Sequence, residues 1–209
     1  MTDKMKLWDS VSRTDPTHTK RVNQRGGFTA IDAHYQVQQA TQAFGPVGTG
    51  WGYEVRHGTI EAGSILFASA DVIVWHENRD QAYGPIRGLS AIVNQKGRVD
   101  EDAPKKALTD ALTKALSHLG FSADVFLGKF DDNRYVQQVA NEIAQESIPP
   151  RVKEIVADIK NLSSIAAVNT YKSLVGEEVK KFMAENKAAA ALISSAIRVQ
   201  MKSLEEKEK

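Results

Sequence analysis

The sequence predicts an α+β fold: a short helix, a three-stranded antiparallel β-meander packed on a long helix, and a helical C-terminal region. Three observations carry this reading. The run Ile65 to Trp75 alternates its side chains with a period of two, as a strand does. The segment Asp100 to Gly120 places Leu108, Ala111, Leu112, Ala115, Leu116 and Leu119 on one helical stripe. Beyond Ser147-Ile148-Pro149-Pro150-Arg151, apolar residues recur only at helical spacing.

Taken in order, residues 1–27 read as irregular, with Asp15-Pro16 as a turn signal and Gly26-Gly27 as a flexible stop. Ile31, Tyr35, Val37 and Phe44 then fall near helical spacing, and Phe44-Gly45-Pro46 ends that helix. A glycine-rich loop, 45–52, leads into the first strand, which begins at Tyr53 to Arg56 and turns near His57-Gly58. The second strand, Ile65 to Trp75, is apolar on both faces and is expected to be covered on both. Glu77 to Asp80 reads as a polar turn. The third strand is Ile86 to Asn94, since Gly84-Pro85 disfavours an earlier central pairing. The long helix opens on acids and Pro104 and stops at Gly120. A further helix runs from about Asp132 to Glu146. The Pro-Pro linker suggests a core of residues 1–147 and a helical region of residues 148–209. That region holds one stripe at Val152, Ile155, Val156 and Ile159. A second stripe runs from Val179, Phe182 and Met183 through Leu192, Ile193, Ile197 and Met201. Leu204 to Lys209 reads as a frayed tail.

Composition narrows the function. Hydrophobic residues make up 42% and charged residues 25%, enough for a real core. There is no cysteine, which excludes disulfides and thiolate chemistry. The N-terminus lacks an apolar signal core, and no stretch is long and apolar enough to cross a bilayer, so a cytoplasmic protein without membrane contact is expected. Net charge is only +1, but basic residues cluster. Lys20, Arg21 and Arg25 have no acid between Asp15 and Asp32. Arg79, Arg87, Lys96 and Arg98 are opposed by Asp80 alone. Gly120 to Lys129 lacks the spacing of a phosphate-binding loop, and Phe130 stands where its hydroxyl belongs. His57, Asp71, His76 and the pair Asp131-Asp132 invite a metal-nuclease reading. Adjacent acids diverge on a helix, however, and suit a helix start better. No metal or other cofactor is expected. Trp51, among glycines, reads as a packing residue that closes the sheet; Thr109 and Asp110 read as structural.

Two segments resemble the Rad-fifty-two-like single-strand annealing proteins. One is the helix and loop from Ile31-Asp32-Ala33-His34 through Ala43-Phe44-Gly45 to Gly50-Trp51-Gly52-Tyr53-Glu54-Val55. The other is Lys105-Lys106-Ala107-Leu108-Thr109-Asp110-Ala111-Leu112-Thr113-Lys114-Ala115-Leu116-Ser117-His118-Leu119-Gly120. Their order and spacing match over roughly residues 20–135, and the chain looks closest to the versions carried by bacteriophages and mobile elements. The resemblance implies a binding protein, not an enzyme, that holds single-stranded DNA and anneals complementary strands without ATP in recombination or recombinational repair. It implies a homo-oligomer, a ring or helical filament, in which cations grip phosphates and leave the bases outward. The implied DNA contacts are Lys20, Arg21, Arg25 and Lys114, with Lys105 and Lys106 in support and Lys96 and Arg98 as an outer site. Thr113 and Ser117 depart from basic residues of the family, and Ala30 from an aromatic one, with Phe28 nearby. The resemblance also implies that the C-terminal region engages an exonuclease or a single-strand-binding protein; the alternative is that it completes the subunit's own core or the subunit interface. The alternatives are a metal-dependent nuclease on an α+β scaffold and a non-enzymatic oligomeric scaffold.

Overall fold

A computed structural model of the protein describes residues 4–23, 27–93 and 97–207. The fold is α+β. It divides into two compact units, Met1–Ala140 and Asn141–Lys209.

The first unit opens with α1 (Lys6–Val11), a 3-10 turn (Pro16–His18) and the hairpin strands β1 (Thr19–Val22) and β2 (Phe28–Ile31). The N-terminal segment is therefore not irregular throughout. Strands of four residues are too short to show a period, and each is held by the other across an antiparallel ladder. Ile31 belongs to β2, and the helix behind it, α2 (Ala33–Phe44), starts where Asp32 caps the His34 N–H at 2.9 Å. Gly45 closes α2 at a φ of 96°.

The meander follows in the order β3 (Trp51–Ala62), β4 (Ile65–His76), β5 (Asn78–Ala91). The expected strand boundaries move; β5 ends at Ala91, and the expected end, Asn94, lies outside the described residues. β3 does not turn at His57-Gly58; Gly58 pairs with Ser69 in the middle of a twelve-residue ladder. β5 starts at Asn78, because Pro85 falls where the register shifts between the Val72 and Val74 partners, and β5 is an edge strand.

α3 (Ala103–His118) covers one face of this sheet. Ala68, Ala70, Val72 and Val74 of β4 meet Ala103, Ala107, Ala111 and Ala115 of α3 in a fully apolar cluster. The contact is made by methyl groups because the backbones approach closely. A Cβ on Gly88 of β5 would lie 2.1 Å from the Ala107 carbonyl oxygen and 2.4 Å from the Ala111 nitrogen. Leu108, Leu112 and Leu119 flank the contact instead. The opposite face differs from the expectation of double cover. Trp75 is buried there, but Ile65 is 47% exposed and Leu89, in register with Ser69, is also exposed.

Trp51 is fully buried, among Val11, Ala40, Leu116 and Phe121, as its sequence context implied. After α3 the chain turns at Gly120, which at φ 104° lies against Trp8, and forms α4 (Ala123–Phe126) and a 3-10 turn (Lys129–Asp131). Buried Asp124 ties this turn down. It accepts the Thr14 N–H at 2.9 Å, the Thr14 hydroxyl at 2.5 Å and the Tyr135 hydroxyl at 2.9 Å. α5 (Asn133–Glu146) follows, opened by Asp132, which accepts the Arg134 N–H at 2.9 Å.

The second unit contains α6 (Pro150–Asn161), α7 (Ile165–Leu174), α8 (Gly176–Glu185) and α9 (Lys187–Lys207). Its core joins Ile148, Val152, Ile155, Ile159, Val175, Ala189 and Ile193. α7 is additional to the two expected stripes, and the second stripe is split between α8 and α9 at Asn186. Helix α9 continues through Lys207 with Leu204 buried, so the expected frayed tail is helical to that point.

Candidate nucleic-acid interface

The β1–β2 hairpin sorts its residues onto two faces. Paired residues share a face and successive ones alternate. The register Lys20↔Ala30 and Val22↔Phe28 therefore puts Lys20 and Phe28 on one side. They are diagonal neighbours, about 7 Å apart for such pairs. Lys20 is exposed and Phe28 is 48% exposed. The register Thr19↔Ile31 and Arg21↔Thr29 puts Arg21 on the other side. There its Nη1 meets Asp131 Oδ1 at 2.9 Å, beside a cavity between the hairpin and the start of α5. Lys20 and Arg21, adjacent in sequence, thus serve different surfaces. Arg25 lies outside the described residues.

The three lysines of α3 each face an acid. Lys114 Nζ meets Asp110 Oδ2 at 2.6 Å, Lys106 Nζ meets Asp100 Oδ2 at 2.6 Å, and Lys105 Nζ lies 3.6 Å from Asp102. Lys106 draws the Asp100 carboxyl below the usual aspartate range by donating a hydrogen bond to it. At about 100° per residue, Lys106 and Lys114 stand about 80° apart around the helix, whereas Lys105 is turned about 180° from Lys114. Lys106 and Lys114 can therefore share a surface, and Lys105 points away from Lys114. Arg98 is exposed in the connection between β5 and α3, and Lys96 lies outside the described residues.

The sheet face opposite α3 carries its own charged group. Arg87 of β5 forks onto its cross-strand partner Asp71, with Nε–Oδ1 at 2.6 Å and Nη2–Oδ2 at 2.7 Å. That hydrogen-bonded pairing lowers the Asp71 carboxyl and raises the Arg87 guanidinium. Arg79 lies over the Trp75 ring at 4.7 Å.

The acids once open to a metal reading have other partners: Asp71 has Arg87, Asp131 has Arg21, and Asp132 has Arg134. Among the described residues no group of three or more His, Asp or Glu is placed to hold a metal ion. Also among them, no helix is long and apolar enough to cross a membrane.

The sequence pattern missed Thr29, Phe130, Asn133 and Val136, which line the cavity with Thr19, Arg21 and Asp131. The signal that points to the hairpin is Thr19-Lys20-Arg21-Val22 and Phe28-Thr29-Ala30-Ile31 on either side of Gly26-Gly27. No protein-family model matches the chain. No curated protein matches it either.

Proposed function

We propose that the protein binds single-stranded DNA and anneals complementary strands without ATP, as a homo-oligomeric ring or helical filament. The observation that carries the reading is the shared exposed face of Lys20 and Phe28. An ammonium and an aromatic ring side by side match the alternating phosphates and bases of a single strand, gripping one and stacking on the other without reading sequence. The two segments that resemble the Rad-fifty-two-like annealing proteins support it, since one runs directly on from this hairpin. Lys106, Lys114, Arg25, Lys105, Lys96 and Arg98 are further candidate contacts, with Lys114 and Lys106 each held by an aspartate. The second unit, with its own core, is proposed to engage an exonuclease or a single-strand-binding protein in the cytoplasm. Purified protein is expected to bind mixed-sequence oligonucleotides with an affinity that falls steeply as salt rises. Negative-stain images are expected to show rings or filaments that change on adding the strand. Affinity no greater than that of an unrelated acidic protein at low salt overturns the reading.

A further inference from the structure

β3 is one edge of the meander, with β4 on its inner side and no described strand on its outer side. Its backbone phase is fixed at both ends of the sheet. Glu77 donates to the Gly50 carbonyl at 3.0 Å, and Ile92 donates to the Leu66 carbonyl at 2.9 Å. Alternation along an antiparallel ladder then turns the N–H and C=O of Gly52, Glu54 and Arg56 inward to β4, and those of Tyr53, Val55 and His57 outward. The outward carbonyl of Trp51 takes the Gly48 N–H at 2.6 Å. The outward groups of Tyr53, Val55 and His57 meet no partner among the described residues. The other edge is blunted. Pro85 of β5 has no N–H, the Leu89 N–H is taken by Asp110, and the register shifts beside Val74. An unbroken edge without proline or bulge is a template for another strand.

The side chains indicate which strand. Glu54 and Arg56 are exposed on the face opposite α3, in register with Ile73 and Asp71, and neither is in an ion pair among the described residues. Both Asp71 oxygens are held by Arg87. Glu54-Val55-Arg56 is self-complementary about its centre. A two-fold axis normal to the sheet at Val55 sets Glu54 across from the partner's Arg56, and Arg56 across from the partner's Glu54. Because Val55 turns its backbone outward, these charges fall at non-hydrogen-bonded positions, where Cα atoms approach to about 4.5 Å and side chains lie closest. An axis at Glu54 or Arg56 sets a like charge against itself. One at Tyr53 or His57 leaves neither charge opposite the other. We propose that β3 pairs antiparallel with β3 of a second copy of this chain about a two-fold axis at Val55, joining two meanders into one continuous sheet. A ring or filament is then assembled from such pairs, and the pairing itself stands apart from strand binding.

The test is the molar mass of the full chain by sedimentation at low salt. Wild type is expected to be a dimer or an assembly of dimers. Glu54→Arg and Arg56→Glu each turn two attractions into two repulsions, and each is expected to weaken association about ten-fold or more. An equal mixture of the two variants is expected to associate as wild type does, because every charge then meets its opposite across the axis. Chains damaged in their own fold gain nothing from mixing. His57→Pro removes an outward N–H and spares the ladder to β4. It is expected to weaken pairing about ten-fold or more with a Tm close to that of wild type. A monomeric wild type, a ring with an odd number of subunits, single charge variants that associate as wild type does, or a mixture no tighter than its parts overturns the proposal. So does unaltered association of His57→Pro. A monomer that binds oligonucleotides overturns the pairing and leaves strand binding standing; a pair that binds none does the reverse.

Discussion

The Asp110 carboxylate on α3 accepts the main-chain N–H of Leu89 on β5, Oδ2 to nitrogen at 3.2 Å. The same oxygen takes Lys114 Nζ at 2.6 Å. One acid thus docks the helix on the edge of the sheet and fixes the direction of a candidate DNA contact. Its two jobs are separable. Asp110→Ala leaves the Leu89 donor without its charged acceptor and is expected to cost about 1 kcal/mol in urea unfolding. Lys114→Ala breaks only a half-exposed ion pair and is expected to cost less than about 0.5 kcal/mol. In strand binding the order reverses: Lys114→Ala weakens affinity and Asp110→Ala strengthens it by freeing the ammonium. Wild-type stability for Asp110→Ala contradicts the docking role.

Gly88→Ala tests the close approach of α3 to the sheet. The added methyl meets backbone atoms of Ala107 and Ala111, which cannot swing aside. The expected loss is about 3 kcal/mol or more, read as a lowered Tm. Gly176→Ala in α8 is the control, because the new Cβ meets nothing within 4 Å. It is expected to be neutral or slightly stabilising.

Lys20→Ala and Phe28→Ala are expected to weaken single-strand binding by different physics. Loss of a phosphate contact lowers the salt dependence, by about 0.7 in the slope of log K against log salt. Loss of a stacking ring lowers affinity by about 1 kcal/mol or more and leaves that slope unchanged. Equal salt slopes for the two variants contradict the assignment.

Asp71 supplies a pH signature. Its carboxyl is lowered in the folded state, first by its hydrogen bond from Arg87. A depressed carboxylate contributes stability above its unfolded pKa, about 3.9, and loses it as pH falls through the folded value. Asp71→Asn is therefore expected to be less stable than wild type at neutral pH. The difference is expected to vanish in acid below the usual aspartate range. A difference independent of pH assigns the effect to packing.

The second unit owns a complete core, from Ile148 through Ile193. A chain ending at Gln145 removes that cluster and leaves intact the clusters around Ala111 and Trp51. It is expected to fold, oligomerise and anneal in the test tube while losing partner recruitment in cells. Aggregation of the truncated chain contradicts this division.

The sequence made β4 and α3 legible because each is long enough to show its period. Val72 and Val74 mark the strand, and Pro104 with the leucines marks the helix. The contact between them was only partly legible, because periodicity counts leucines and the Gly88 approach admits only Ala103, Ala107, Ala111 and Ala115. Gly58 and Pro85 read as breakers, yet a strand pairing can absorb a glycine, and an edge strand can absorb a proline at a register shift. The basic residues were legible as a list but not as a surface. Facing depends on register, which places Lys20 beside Phe28 and Arg21 beside Asp131. The cavity was not legible, since Thr29 and Asn133 meet only through tertiary packing.

The most direct test of the central claim is strand annealing in EDTA without nucleotide. Two complementary oligonucleotides, one carrying a fluorophore and the other a quencher, are mixed with the full-length chain at low salt. The account predicts annealing faster than the spontaneous rate, with both strands intact, and slower annealing for Lys20→Ala. Annealing at the spontaneous rate, or strand cleavage that appears when the EDTA is replaced by a divalent cation, contradicts it.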